Sequence, residues 1–186
     1  EGTTAIADGA VKNAAVKTVT LPATLVTIGI NAFEGAGIVE VAIPASVTSI
    51  GIGAFKDCKA LSKATLSKGI DVINTAVFSG CAALSEIAIP ESVKVISADA
   101  FANCIALTKV SMPAVEKIEK YAFSGCSLLQ KVTIPSSVQS IGHEAFSNCT
   151  NLTEIHFRAD MQATIEALVG YDSKWGATNA TIYFDL

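Results

Sequence analysis

The chain has 186 residues, of which 51% are apolar and 16% charged, with a formal charge of −4 and a pI near 5.1. Such a chain buries a core as one domain and is not disordered. Its charges are scattered singly, so nothing in it favours nucleic acid or an anionic membrane surface, and no apolar run reaches the roughly 18 residues of a membrane span.

The elements repeat from one end to the other. Phe33, Phe55, Phe78, Phe101, Phe123 and Phe146 follow one another at steps of 22, 23, 23, 22 and 23. Three residues after each Phe stands Ala36, Cys58, Cys81, Cys104, Cys126 or Cys149. A fixed period in the low twenties marks a solenoid, in which each copy contacts its neighbours alone. Residues 1–15 read as a partial copy, with Ile6, Ala10 and Val11 in the slots of Ile141, Ala145 and Phe146. No polar cap precedes it, as expected of an array cut from a longer one or of an improvised cap. The start at Glu1 rather than Met agrees with a removed leader.

From Val16 each copy has three parts. The first is L-x-x-V-x-I-P, as at Leu84-Ile87-Ile89-Pro90 and Leu129-Val132-Ile134-Pro135. Its alternation predicts a half-buried strand, and Pro44, Pro90, Pro113 and Pro135, lacking an N–H, are expected to end it. The second is V-x-x-I, followed by Gly29, Gly51 or Gly142, which reads as a turn residue of positive φ. Asn74, Ser97 and Glu119 take that place in other copies. The third, A-F-x-x-C, reads as a short helical turn that sends Phe inward. Ser67 replaces Pro and Val77 replaces Ala in one copy, so a local distortion is expected around Phe78.

The five cysteines share one slot and form a row with one thiol per coil. Neighbouring coils about 4.8 Å apart make a bridge conceivable, but Ala36 fills the slot once, so free, buried thiols are the expectation. A row without companion histidines does not suit zinc. After Phe157 the pattern stops. Asp160 is placed to cap a helix over Met161–Val169 that ends at Gly170, and Thr181–Phe184 reads as a last strand. The aromatics Phe157, Tyr171, Trp175, Tyr183 and Phe184 read as a lid over the terminal coil; a sugar-stacking site around Tyr171 and Trp175 is the alternative.

Together the L-x-x-V-x-I-P strand, the V-x-x-I and the A-F-x-x-C resemble the BspA-like leucine-rich repeat family, from about Ile6 to Phe157. The resemblance implies a leucine-rich repeat solenoid of the α/β class, β-rich and right-handed, with a parallel sheet on one face. It would hold about six and a half repeats of 22–23 residues over 1–157, with 158–186 as a helix-plus-strand cap in the same domain. It also implies bacterial cell-surface or secreted proteins, found in some protozoa too, that adhere to host matrix proteins or other cells. No enzyme activity or cofactor comes with it. The wider class carries an interior Asn or Cys just past the strand, where this chain has Val93 or Val138.

No G-x-S-x-G, H-E-x-x-H or phosphate-cradling glycine loop is present, and His143 and His156 occupy unrelated slots. One outward column of the predicted sheet runs Thr18, Glu40, Lys63, Glu86, Lys109, Lys131, Glu154; the next runs Thr20, Ala42, Thr65, Ala88, Ser111, Thr133, His156. The first makes opposite-sign neighbours except at Lys109–Lys131, where charge is left to attract a carboxylate-bearing protein. Lys109, Lys131, Glu154 and His156, read as an outward residue, are therefore the candidate protein-binding face of a monomer. The alternative is a spacer that displays other domains.

Overall fold

The computed structural model describes residues 2–161 and 173–185. Within these residues the chain winds as a parallel β-solenoid of about seven turns with almost no helix. One ladder is the predicted one. It comprises β3 (Glu40–Ala42), β5 (Lys63–Thr65), β7 (Glu86–Ala88), β9 (Lys109–Ser111), β11 (Lys131–Thr133), β13 (Glu154–Phe157) and β14 (Thr181–Phe184). Its registers are the expected ones, with Glu40 beside Lys63, Glu86 beside Lys109 and Lys131 beside Glu154. The ladder is hydrogen-bonded in groups, β3–β5, β7–β9 and β11–β13–β14; β5 and β7, and β9 and β11, are adjacent without pairing.

The V-x-x-I part is a strand too, on a second side of the coil. It gives β1 (Ala5–Ile6), β2 (Thr27–Ile28), β4 (Ser49–Ile50), β6 (Val72–Ile73), β8 (Val95–Ile96), β10 (Lys117–Ile118) and β12 (Ser140–Ile141). These pair in parallel as β1–β2–β4 and β6–β8–β10–β12. Proline sets the corner between the ladders. The amides of Val47, Val93 and Val138 donate to the carbonyls of Pro44, Pro90 and Pro135 at 3.0–3.1 Å. At the start of the second ladder Ala5 pairs with Thr27 and Ile6 with Ile28.

The third side differs from the expected helical turn. In the segment around Phe55 successive amides alternate in direction. Those of Gly53, Phe55 and Asp57 donate to Thr75, Val77 and Ser79 of the next coil, and those of Ala54, Lys56 and Cys58 fold back to Gly51, Gly53 and Phe55. A helix would satisfy all of them internally; a solenoid needs half of them along its axis. The Phe rings then stack in one column from Phe33 to Phe146, with centroids 5.1–5.5 Å apart and planes within 11°. The six rings are fully buried. Phe78 lies 5.5 Å from both neighbours despite Val77, so the expected distortion is absent.

The glycine reading also needs correction. Gly29, Gly51 and Gly142 do not have positive φ. They are needed because the preceding coil lies against them: a Cβ on Gly51 would come within 2.6 Å of Gly29 C and Ile30 N. At two of the copies without Gly in the slot, a side chain bonds the preceding coil. Asn74 Nδ2 donates to Ile50 O at 2.8 Å, and Glu119 Oε2 accepts from Ala98 N at 3.1 Å. Positive φ falls instead two residues before and two residues after each Phe. The slot after the Phe alternates along the array: Asn13 (after Val11), Gly35, Asp57, Gly80, Asn103, Gly125, Asn148. In three of these pairs the Asx Oδ1 occupies the space a Cβ on the following Gly would take, at Gly35, Gly80 and Gly125.

The cysteines are free and buried, as expected. Each Sγ donates to the carbonyl of the Phe one coil earlier, from Cys58 to Phe33 at 3.0 Å through Cys149 to Phe123 at 3.1 Å. At the other end β14 pairs in parallel with β13, and the Phe146 amide donates to Trp175 O at 3.0 Å. A 3-10 helix spans Ala159–Met161. The remainder of the helix expected to Val169, with Gly170 and Tyr171, lies outside the described residues.

Candidate functional site

The outward face of the first ladder is built by alternation. In β3, β5, β7 and β11 the central residue is buried and the flanking two are exposed, so each coil offers one long charged side chain and one small one. Lys109 lies exposed on β9 beside Glu86. Lys131 is exposed on β11 with its Nζ 3.6 Å from Glu154 Oε2. Of the opposite-sign neighbours in this column, that pair alone closes to an ion pair among the described residues. An exposed pair of this kind contributes at most about 1 kcal/mol, so the column selects register more than it adds stability.

Where β5 and β7 are unpaired, the face opens into a shallow cleft of about 320 Å³. Lys63, Glu86 and Lys109 stand along one side of it and Thr65, Ala88 and Ser111 along the other. Lys109 therefore belongs to a cleft rather than to a flat sheet. Spacing alone did not single out Lys63 and Glu86, because an interrupted ladder leaves no trace in a regular repeat.

His156 points away from the core, yet its side chain is only 7% exposed. Its Nε2 lies 2.9 Å from Glu154 Oε2, its Nδ1 2.8 Å from Asp185 Oδ1, and its ring stacks on Tyr183 at 4.7 Å. The reading of His156 as an open surface group is thus corrected: β14 covers it. The hydrogen bond from His156, and then the charge of Lys131, hold the Glu154 carboxyl below the usual carboxylate range. Tyr183 and Asp185 were missed, although the alternation of Thr181–Phe184 in register with β13 places Tyr183 beside His156.

The aromatic tail is a lid where it is described. Trp175 is 2% exposed and tilted against Phe157 at 5.9 Å, and Phe184 stacks on Phe157 at 5.7 Å. A buried indole has no face for a sugar, which removes Trp175 from that alternative; Tyr171 lies outside the described residues. His143 is exposed, 3.4 Å from Glu144 and edge-on to Tyr121. Among the described residues no cluster of three or more His, Cys, Asp or Glu is arranged to hold a metal ion, and no helix is long and apolar enough to cross a membrane.

Comparison with known proteins agrees with this geometry. The family model of the BspA type leucine rich repeat region matches six copies over residues 4–129 and 116–168. Among solved structures, a leucine-rich repeat protein from Bacteroides ovatus aligns at TM-score 0.78 and 24% identity, over 98% of this chain and 52% of its own. One from Eubacterium ventriosum aligns at 0.65 and 29%, over 72% of this chain and 37% of its own. A leucine rich cell surface protein from Faecalibacterium prausnitzii aligns at 0.58 and 28%, over 98% of this chain and 58% of its own. The chain therefore spans between 37% and 58% of these proteins' lengths. Among curated proteins none matches the sequence.

Proposed function

Because the chain belongs to the BspA-type leucine-rich repeat family, we propose that it is a non-enzymatic interaction module of a bacterial cell-surface or secreted protein. Its partner is a protein, and its role is adhesion to a host matrix or to another cell. The observation that carries this reading is the open face of the first ladder, with its cleft beside Lys109 and the like-charged neighbours Lys109 and Lys131. Their summed positive potential attracts carboxylates on a partner. Glu154 and His156 enter as the pair that positions Lys131 at the end of the face. The likeness to the leucine rich cell surface protein from Faecalibacterium prausnitzii supports the location.

A spacer without a ligand is the second reading. It is favoured by the small column Thr65, Ala88, Ser111 and Thr133, since interface hot spots are usually Trp, Tyr or Arg. Titration of the chain over immobilised matrix proteins and over intact bacterial cells separates the two. Saturable binding is expected, with Lys109→Glu and Lys131→Glu each lowering affinity and salt sensitivity while leaving the melting temperature unchanged. Saturable binding that both variants retain at full affinity moves the site elsewhere, and absence of saturable binding to every probe favours the spacer.

A further inference from the structure

At the C-terminal end of the first ladder a histidine is enclosed by acids. Both ring nitrogens of His156 face carboxylates, Glu154 at 2.9 Å and Asp185 at 2.8 Å, and the side chain is 7% exposed. Glu154 belongs to the same strand as His156. Asp185 directly follows β14, and its amide donates to Phe157 O at 3.2 Å. The two acids therefore sit on either side of the junction between the array and its last strand, with His156 between them.

We propose that Glu154, His156 and Asp185 form a pH-sensitive clasp that fastens β14 to the sheet and loosens when the imidazole gives up a proton. Ionised carboxylates only accept hydrogen bonds, so two of them on one ring require a proton on each nitrogen. A neutral ring carries a single N–H and leaves a lone pair facing a carboxylate oxygen at the other contact. The imidazolium satisfies both, each as a charge-assisted bond.

The surrounding groups allow this. From β11, Lys131 Nζ lies 3.6 Å from the same Glu154 oxygen, and the register partner of His156 is the uncharged Thr133. From β14, the Tyr183 ring covers the imidazole at 14° to its plane. Past the end of β13, Arg158 is engaged by Asp160 at 3.1 Å. The clasp is complete when both carboxylates are ionised and the ring holds two protons. Raising the pH removes a ring proton and one contact. On the acid side Glu154, held low chiefly by its bond from His156, keeps its charge below the ordinary carboxylate range. Release of β14 would bare the edge of β13, whose unpaired backbone groups are a template for another strand.

Amide exchange across β14, expressed as protection factors, tests this on the whole chain near pH 5.5 and near pH 8.5. Protection of residues 181–185 is expected to fall about tenfold or more at the higher pH, as one charge-assisted hydrogen bond is lost, while β8 and β10 keep theirs. His156→Gln should show low protection at both values. Equal protection of β14 at the two values in the parent, or a pH dependence that persists in His156→Gln, overturns the clasp. Should that variant not fold, ring ¹⁵N shifts of His156 in the parent decide. Loss of a ring proton in step with loss of β14 protection supports the proposal; loss without it overturns it.

Discussion

A single hydrogen at Cα sets how closely two coils approach at Gly51, where any side chain would meet the Gly29–Ile30 peptide. The cysteine slot shows a similar economy. Each Phe carbonyl in mid-array accepts the Cys amide of its own coil and the thiol of the next, as Phe55 O does from Cys58 N and Cys81 Sγ, both at 3.2 Å. Burial pushes the Cys58 and Cys104 thiols from about 9 up to about 12, and Cys81 well above its ordinary value. In the folded chain these three thiolates are scarce near neutrality, so a thiol reagent at about pH 8 should label Cys58, Cys81 and Cys104 only as fast as the chain unfolds. Rapid labelling of two or more in the folded state would show the row to be open. The same shift has a sign in stability. A folded value above the unfolded one means the native state holds the proton more tightly. The resulting stability is complete below about pH 9 and is lost as pH rises towards about 12. Melting temperature should therefore fall less steeply between pH 8.5 and 10.5 in Cys104→Ala than in the parent. Parallel slopes in the two proteins would count against this account.

The Phe column is the clearest case of an element whose stability comes from repetition. Phe101 stacks on Phe78 at 5.5 Å and on Phe123 at 5.3 Å, with no solvent exposure. Phe101→Ala removes the ring and leaves a cavity that two fixed coils cannot close, at a cost of about 3–5 kcal/mol. A denaturation midpoint equal to the parent's would contradict the column. Much of this was legible in the chain, since a strict Phe period and one strand of L-x-x-V-x-I-P fix register, burial and the fate of the thiols. What stayed illegible has a common cause. Spacing reveals that a slot recurs but not which constraint keeps it. Gly51 recurs because of a close approach, although a positive φ would leave the same trace, and Gly53 and Asp57 bear the positive φ instead. V-x-x-I holds only two paired residues per coil, too few for alternation to mark a strand. His156 was legible as outward, but the burial that β14 imposes depends on a strand beyond the repeat.

At the scale of the whole molecule the repeat has a second, longer rhythm. Asn or Asp alternates with Gly two residues after each Phe, and the repeat strands of the first ladder are hydrogen-bonded as β3 with β5, β7 with β9 and β11 with β13, to which β14 adds beyond the repeat. Two of these pairs set Glu before Lys, Glu40 with Lys63 and Glu86 with Lys109; the third sets Lys131 before Glu154. The outward face of the repeats is thus laid out in two-coil blocks, with the cleft at one boundary between them.

A gene for such an array cannot be lengthened or trimmed one coil at a time without a penalty. Deleting residues 58–80 would set Asp57 against Asn103, with neither partner a glycine, and Glu40 against Glu86. Deleting residues 58–103 would set Asp57 against Gly125 and Glu40 against Lys109, restoring both pairings with one coil fewer. Solenoid stability ordinarily grows with every coil retained. Here the shorter product is expected to unfold cooperatively at a higher denaturant midpoint than the longer one. A higher midpoint for the longer product would mean that coils are interchangeable singly. If the shorter product is the more stable, duplication in this lineage is a traffic in pairs, and the even-numbered jump is the step by which the array gains or loses reach.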